Sequence, residues 1–281
     1  MDNIKIYAFS DEASSNIDKQ IVALKRNQLD GVEIRNVNGV NVADITITKA
    51  QEVKQKLDAA GLTVWSIGSP IGKIDIDDDF APHLQKFKHT IEIAKILDCK
   101  NIRIFSFYIP PDKNPDIYSK QVLERLSKFI EIANESNINL CHENEKGIFG
   151  DTPERCAFLH KNLPELKAVF DPANFIQCGV NTINAWECLK KYVHYLHIKD
   201  ALSNGNIVPA SYGCGNIKNI AEDFIKMGGK NFTIEPHLTL FDGLSALEKE
   251  DNTSIIGEFE YENSDIAFDT ACKAFKEIIG G

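Results

Sequence analysis

A single (β/α)8 barrel over residues 1–281 is what the sequence predicts, and three observations predict it. Eight short apolar runs alternate with longer segments of helical periodicity. The runs are nearly continuous in apolar residues, as parallel strands covered on both faces must be. Eight such repeats in 281 residues match the usual size of a closed α/β barrel. Strict strand–helix alternation also demands a parallel sheet with right-handed crossovers. An open doubly wound sheet is the nearest alternative. It usually needs fewer strands and often a glycine-rich first turn, and no GxGxxG follows the first run.

The expected strands are KIYAFS (5–10), GVEIRN (31–36), TVWSIGS (63–69), NIRIFSF (101–107), NLCHENE (139–145), LKAVFD (166–171), HYLHIKD (194–200) and NFTIEPH (231–237). Between them, 15–27, 48–61, 85–97, 118–136, 152–163, 184–193, 216–229 and 265–281 carry helical patterns; Phe87, Ile91 and Ala94 mark one apolar stripe. Thr152 followed by Pro153 reads as a helix start, a hydroxyl N-cap with proline at the first helical position. Gly61 and Gly228 read as helix stops. No linker, low-complexity stretch or domain boundary interrupts the pattern.

Composition narrows the partners. The apolar fraction of 43% supports a sizeable core, and the formal net charge is −10. So acidic a protein repels nucleic acid and anionic membrane, so neither is an expected partner. Seven cysteines are scattered without a CxxC pair, which fits free thiols in a reducing compartment. With no charged-plus-apolar leader and no long apolar run, a cytoplasmic location is expected.

The catalytic face of such a barrel lies at the C-terminal ends of its strands. There, four consecutive strands switch from apolar residues to metal-ligand types: Glu143, Asp171, His197 and Glu235. Alternation puts His197 with Lys199, Glu235 with Thr233 and His237, and Glu143 with Cys141 and Glu145 on shared faces. Neighbouring strands lie about 4.8 Å apart, so four consecutive ends can converge. Three carboxylates in a low-dielectric mouth repel, and one must hold a proton unless a divalent cation joins them. Two Glu, one Asp and one His suit one divalent metal, Mn2+ or Zn2+ first, with Co2+ or Mg2+ as alternatives. Taken singly, each residue reads equally as a surface carboxylate or a satisfied core histidine. Their joint placement carries the reading.

With AFSDEAS, GVEIRNVNG, SIGSPIGKI, NIRIFSFYIP, CHENEKGIFGDTPERC, FDPANF, LHIKDA and TIEPHL, the chain resembles the xylose isomerase-like TIM-barrel superfamily almost end to end, specifically its sugar phosphate isomerase/epimerase branch. The resemblance implies one divalent metal held by Glu143, Asp171, His197 and Glu235, the set already reached from strand ends. It implies an isomerase or epimerase acting on a sugar, keto-sugar or sugar phosphate. Glu143 and Glu235 would be the acid/base pair, moving a proton through a metal-bound enediolate. A lyase or dehydratase on the same site is the alternative. An endonuclease IV-like hydrolase, which shares the superfamily, needs a His-rich zinc cluster and a basic face, against seven His and −10 here. Where many relatives carry an acidic residue in a Gly-rich loop after the seventh strand, this chain has Cys214 in SYGCGN. Such barrels usually form dimers or tetramers, which allows a homo-oligomer.

Further residues are expected around a small carbohydrate substrate. Lys199 is either a hydroxyl or enediolate contact or a solvated rim lysine. Asn174 and His237 are hydroxyl contacts, or a turn cap and a satisfied histidine. Glu33 either reaches the pocket or pairs with Arg35 or Arg103. Lys73 and Arg103 suit an anionic group, with a buried ion pair equally open for Arg103. His142 is expected to face the helices. His197 needs an acceptor on its second ring nitrogen to hold the right tautomer.

Overall fold

The computed structural model describes residues 4–241, 244 and 255–280. Eight parallel strands close a barrel: β1 Lys5–Ala8, β2 Gly31–Ile34, β3 Thr63–Gly68, β4 Asn101–Ile104, β5 Asn139–Glu143, β6 Lys167–Phe170, β7 Val193–Ile198 and β8 Asn231–Ile234. Each pairs with its sequence neighbours, and β8 returns to β1 with Tyr7 opposite Thr233. All eight expected strands are present, each ending one to three residues earlier than its apolar run suggests. The reason is local. Ser10–Glu12 forms a 3-10 turn, and Asp171 leaves the ladder to cap a helix. Released from pairing, these residues turn their side chains over the barrel mouth.

The helices are α1 Ile17–Arg26, α2 Ile47–Ala60, α3 Phe80–Ile96, α4 Ser119–Glu135, α5 Pro153–Asn162, α6 Pro172–Gln177, α7 Thr182–Leu189, α8 Ile217–Lys226 and α9 Ser264–Gly280. Short polar side chains start most of them. Asn16 accepts from the Asp18 and Lys19 amides, and Thr46 and Thr152 cap as hydroxyls. Gly61 ends α2 in the left-handed conformation, as its position in the sequence indicates. Helix α3 starts at Phe80, five residues before its clear periodicity begins. Asp79 caps the Ala81 amide there, and Pro82 falls in the first turn, where no intrahelical N–H is needed. The short α6 was not expected, nor were two hairpins, Asn36–Val37 with Val40–Asn41 and Asp200–Ala201 with Ile207–Val208.

The main core lies between barrel and helices, where Val53, Leu57, Phe87, Ile91, Leu126, Phe129, Phe232 and Phe275 are all buried. Burying each such side chain contributes about 1.5–3 kcal/mol. Inside the barrel, Cys141, Val169 and Tyr195 form a smaller apolar cluster, with Trp65 against it. This floor is packed, so polar strand-end residues above it have only the mouth to face. On the β3–α3 loop, Gly72 has φ +91°, and a Cβ there would stand 2.0 Å from the Phe105 carbonyl oxygen. Its amide donates to His83 Nε2 at 2.7 Å, which fixes the loop that carries Lys73. Among the described residues, no helix is long and apolar enough to cross a membrane.

Candidate metal centre and active site

Strands β5 to β8 deliver Glu143, Asp171, His197 and Glu235 to one point. A ligand atom from each lies within 4.8 Å of the others, and all four residues are buried. His197 Nδ1 faces the carboxylates, 3.0 Å from Glu143 Oε1, 3.2 Å from Glu235 Oε2 and 3.9 Å from Asp171 Oδ2. Asp171 is aimed by its neighbours. Its amide donates to Asn144 Oδ1, Asn144 Nδ2 donates to its carbonyl, and its Oδ1 accepts from the Asn174 amide at the start of α6. Asp171 Oδ2 is buried without a hydrogen bond, while Lys199 Nζ lies 2.9 Å away. A closed cluster of three carboxylates and one imidazole, with a ligand atom from each within 4.8 Å of the others, fits a divalent cation.

Electrostatics at the centre follow from burial and crowding. Burial pushes Asp171 up to about 6, opposed by Lys199 and reinforced by Glu235 and Glu143. Burial also raises Glu235, but Lys199, His237 and His197 outweigh it and hold the carboxyl well below its usual range. Burial disfavours protonated His197, yet Glu143 and Glu33 draw its pKa well up. Desolvation alone would raise half-buried Glu145, but Lys73 and two further lysines hold it at about 2.

A narrow cavity over this centre is lined by Arg35, Lys73, Arg103, Lys199, Glu145 and His237, among others. Every cation in it faces a carboxylate. Arg103 Nη1 donates to Glu143 Oε2 at 3.0 Å, and its guanidinium lies over the Phe9 and Phe105 rings. Lys73 Nζ donates to Glu145 Oε2 at 3.1 Å. Lys199 Nζ is 3.3 Å from Glu235 Oε2 and only 5% exposed, so the solvated-rim alternative does not describe it. Arg35 reaches Asp11 (2.9 Å), Glu12 (3.0 Å) and Glu235 Oε1 (3.2 Å). A second group of potential ligands, Glu12, Glu235 and His237, therefore already surrounds a guanidinium.

The remaining expected residues fall in different places. His237 has φ +45°, and its amide donates to Glu12 Oε2 while Nδ1 lies 3.0 Å from Glu12 Oε1. It is held at the cavity edge by its own backbone. Asn174 Nδ2 donates to Glu143 Oε1 and to the Asn144 carbonyl. Glu33 corrects the expectation of a pocket residue. It is fully buried beneath His197, bonded to Tyr195 Oη and His197 Nε2, and the imidazole stands between it and the mouth. Its partner is thus His197 rather than a direct ion pair with Arg35 or Arg103. His142 packs outward, 2.9 Å from Ser106 Oγ and beside the His160 ring.

Comparison with known proteins identifies the family and the fold. A family profile described as xylose isomerase-like TIM barrel matches residues 21–250. The chain belongs to the xylose isomerase-like TIM-barrel family. None of the curated proteins matches the chain by sequence. Among solved structures, this xylose isomerase-like barrel is similar to a zinc-bound IOLI protein at 14% identity and TM-score 0.75, covering 99% of this chain and 98% of that one. It is similar to 3-keto-D-glucoside 4-epimerase YcjR from E. coli at 16% identity and TM-score 0.70, covering 99% and 100%. It is also similar to the probable 3-DHS dehydratase AsbF of Bacillus anthracis at 14% identity and TM-score 0.72, covering 97% and 98%. At these identities the similarity shows a shared fold.

Asp11, Glu12, Asn144 and Tyr195 belong to the site of this xylose isomerase-like chain without having been expected from its sequence, and Arg35 was expected only as a partner of Glu33. Asp11 and Glu12 follow an apolar strand, the same signal that marked Glu143. Tyr195 shares strand parity with His197 and Lys199. The loop SYGCGN also has its own logic. Asp200 accepts from the amides of Ala201, Ser211, Gly213 and Gly215, so the acid that organises this loop comes from the strand side while Cys214 is exposed. A Cβ on Gly215 would lie 2.5 Å from Asp200 Oδ1.

Buried and half-buried histidines of this family member give its stability a pH dependence. Burial lowers His83, His160 and His194 to about 4 each. Unfolded, each returns to the ordinary value near 6.5 and binds a proton first. Their contribution is therefore complete above about pH 6.5 and is lost as pH falls through about 4. Each adds up to about 1.4 kcal/mol per pH unit to the slope. Asp171, raised in the fold, works in the opposite sense between its unfolded value and about 6, and Asp151 and Asp200, also raised by burial, act with it. The expected outcome is a lower urea midpoint at pH 5 than at pH 7; equal midpoints would contradict it.

Proposed function

We propose that this chain works as one barrel domain over residues 1–281 and catalyses a divalent-metal-dependent isomerisation or epimerisation of a sugar, keto-sugar or sugar phosphate. The observation that carries the reading is the buried quartet Glu143, Asp171, His197 and Glu235, whose ligand atoms lie within 4.8 Å of one another. A divalent cation held there, manganese or zinc by its donor set, supplies Lewis acidity that makes the C–H beside a substrate carbonyl removable. Glu143 and Glu235 take and return that proton. Each has one oxygen fixed by a guanidinium, Glu143 Oε2 by Arg103 and Glu235 Oε1 by Arg35, so the other oxygen is aimed without a search over rotamers. Lys199 offers its ammonium to the substrate oxygen that gains charge as the enediolate forms. His237 and Lys73 present donors to substrate oxygens, and Asn174, whose Nδ2 is spent on Glu143 and the Asn144 carbonyl, offers its Oδ1 as an acceptor.

A lyase or dehydratase acting on a keto-sugar or inosose is the second reading. It shares the proton abstraction and differs only in expelling a β-substituent, and the similar structures include an enzyme named for each outcome. Product analysis separates the two. The first test is metal content by plasma mass spectrometry on protein prepared without chelator. About one Mn, Zn or Co per chain is expected, and loss of it in a Glu143→Gln/His197→Ala double variant. Bound metal justifies screening ketoses for exchange of a carbon-bound proton with D2O. No metal in either protein, even after soaking with Mn2+ or Zn2+, sinks the reading.

A further inference from the structure

We infer that Glu33, oriented by Tyr195 and Ser66, is the positioning residue that fixes the His197 tautomer for metal binding. The inference rests on the metal site proposed above. Four side chains from three strands form one chain of polar contacts through the barrel interior. Ser66 Oγ lies 3.1 Å from Tyr195 Oη, and Tyr195 Oη donates to Glu33 Oε1 at 2.8 Å. Glu33 Oε2 lies 3.1 Å from His197 Nε2. Ser66, Tyr195, Glu33 and His197 are all 0% exposed, so water does not substitute for any partner.

Donor and acceptor rules give the chain a direction. A carboxylate only accepts, so both the Tyr195 hydroxyl and His197 Nε2–H donate into Glu33. Tyr195 has then used its one proton, and its oxygen accepts from Ser66. Nδ1 faces Glu143, Glu235 and Asp171, and when a cation takes the place of the proton there, Glu33 keeps the remaining proton on Nε2.

Two irregularities of the barrel bring these residues into line. Between β2 and β3 the register shifts at Val32/Glu33, which skips Trp65 and sets Glu33 opposite Ser66. Between β6 and β7 it shifts at Ala168/Val169, which skips His194 and sets Tyr195 opposite Val169. A bulge exchanges the faces of the residues beyond it. The extra residues, Trp65 on β3 and His194 on β7, set the faces of Ser66 and Tyr195 beyond them, while Glu33 lies inside by the ordinary alternation of β2. Both bulges flank the same contact chain, which is more than the burial of a stray acid requires.

The test compares wild type with Glu33→Gln and Tyr195→Phe, using Zn2+ affinity from chelator competition, metal-free thermal melts and nitrogen-15 spectra of the zinc-loaded histidines. Glu33→Gln keeps shape and removes the charge. It is expected to weaken zinc binding about 10- to 100-fold, with the metal-free melting temperature unchanged or raised because a buried charge is gone. Tyr195→Phe removes one hydroxyl and is expected to weaken binding only about threefold. In wild type the His197 resonances should show a protonated Nε2, shifted in Glu33→Gln. Zinc affinity within twofold of wild type in Glu33→Gln, or a proton on Nδ1 in the loaded protein, overturns the inference and leaves the metal site standing. Wild type that binds no zinc overturns both.

Discussion

Glu143→Gln is expected to lower turnover by about 10²- to 10⁴-fold while sparing proton exchange from one of the two substrate stereoisomers. The reason is that an epimerase needs a carboxylate on each face of the planar intermediate. Glutamine matches glutamate in shape but takes no proton, so it silences one face. Glu143 also loses a charged partner for Arg103, 3.0 Å from its Oε2, so the variant is assayed at saturating metal with bound metal measured in the same sample. Each epimer is then followed separately by deuterium incorporation from D2O. In Glu235→Gln, the spared and silenced isomers should exchange places. Loss of exchange from both isomers in either variant would indicate one base serving one face, as an isomerase requires. Full exchange from both in both variants would remove Glu143 and Glu235 from the proton path.

Arg35→Met should be the most damaging single change to stability, costing about 3–5 kcal/mol. Arg35 is 1% exposed and lies over the rings of Phe9 and Phe241 at 4.4 and 4.9 Å. Methionine keeps most of that apolar contact. What it removes is the counter-charge to Asp11, Glu12 and Glu235, all buried within hydrogen-bonding reach of the guanidinium. Burial alone would raise the Glu12 carboxyl, and His237 and Arg35 hold it below its usual range. Without Arg35, folding must leave carboxylates uncompensated or protonate them. The deficit should therefore shrink at pH 5, where protonation costs less. Urea unfolding of both proteins at pH 7 and pH 5 measures it. A difference under about 1 kcal/mol at pH 7 would show that the guanidinium is replaceable.

Much of this was legible in the sequence, for identifiable reasons. The strands show because a parallel barrel strand is buried on both faces, so its apolar run is unbroken. The quartet shows because Glu143, Asp171, His197 and Glu235 each end such a run. Glu33 was misplaced for the same reason that it was noticed. A carboxylate at a strand end suggests the mouth, but Glu33 lies beneath His197, whose imidazole covers it, and depth inside the barrel leaves no mark in residue type. Arg103 reads as an anion hook or a buried ion pair, and Arg35 as a partner of Glu33, because only three dimensions show that their carboxylate partners arrive from β5, β8 and the turn after β1. Helix α6 is too short for periodicity to reveal; its one sequence signal is Asp171 before Pro172, and that aspartate had already been assigned another task.

Asp200 has a consequence for anyone redesigning this protein. Two glycines and a serine wrap their amides around one carboxylate, so most of the backbone donors of the SYGCGN turn depend on an anchor that belongs to another segment. Insertions, deletions or side chains at Gly213 or Gly215 would pull the turn off that anchor rather than reshape it. Libraries aimed at new substrates are better placed on the β3–α3 loop, near Lys73, or on the rim beside Leu240, and the turn after β7 is better left as a fixed wall.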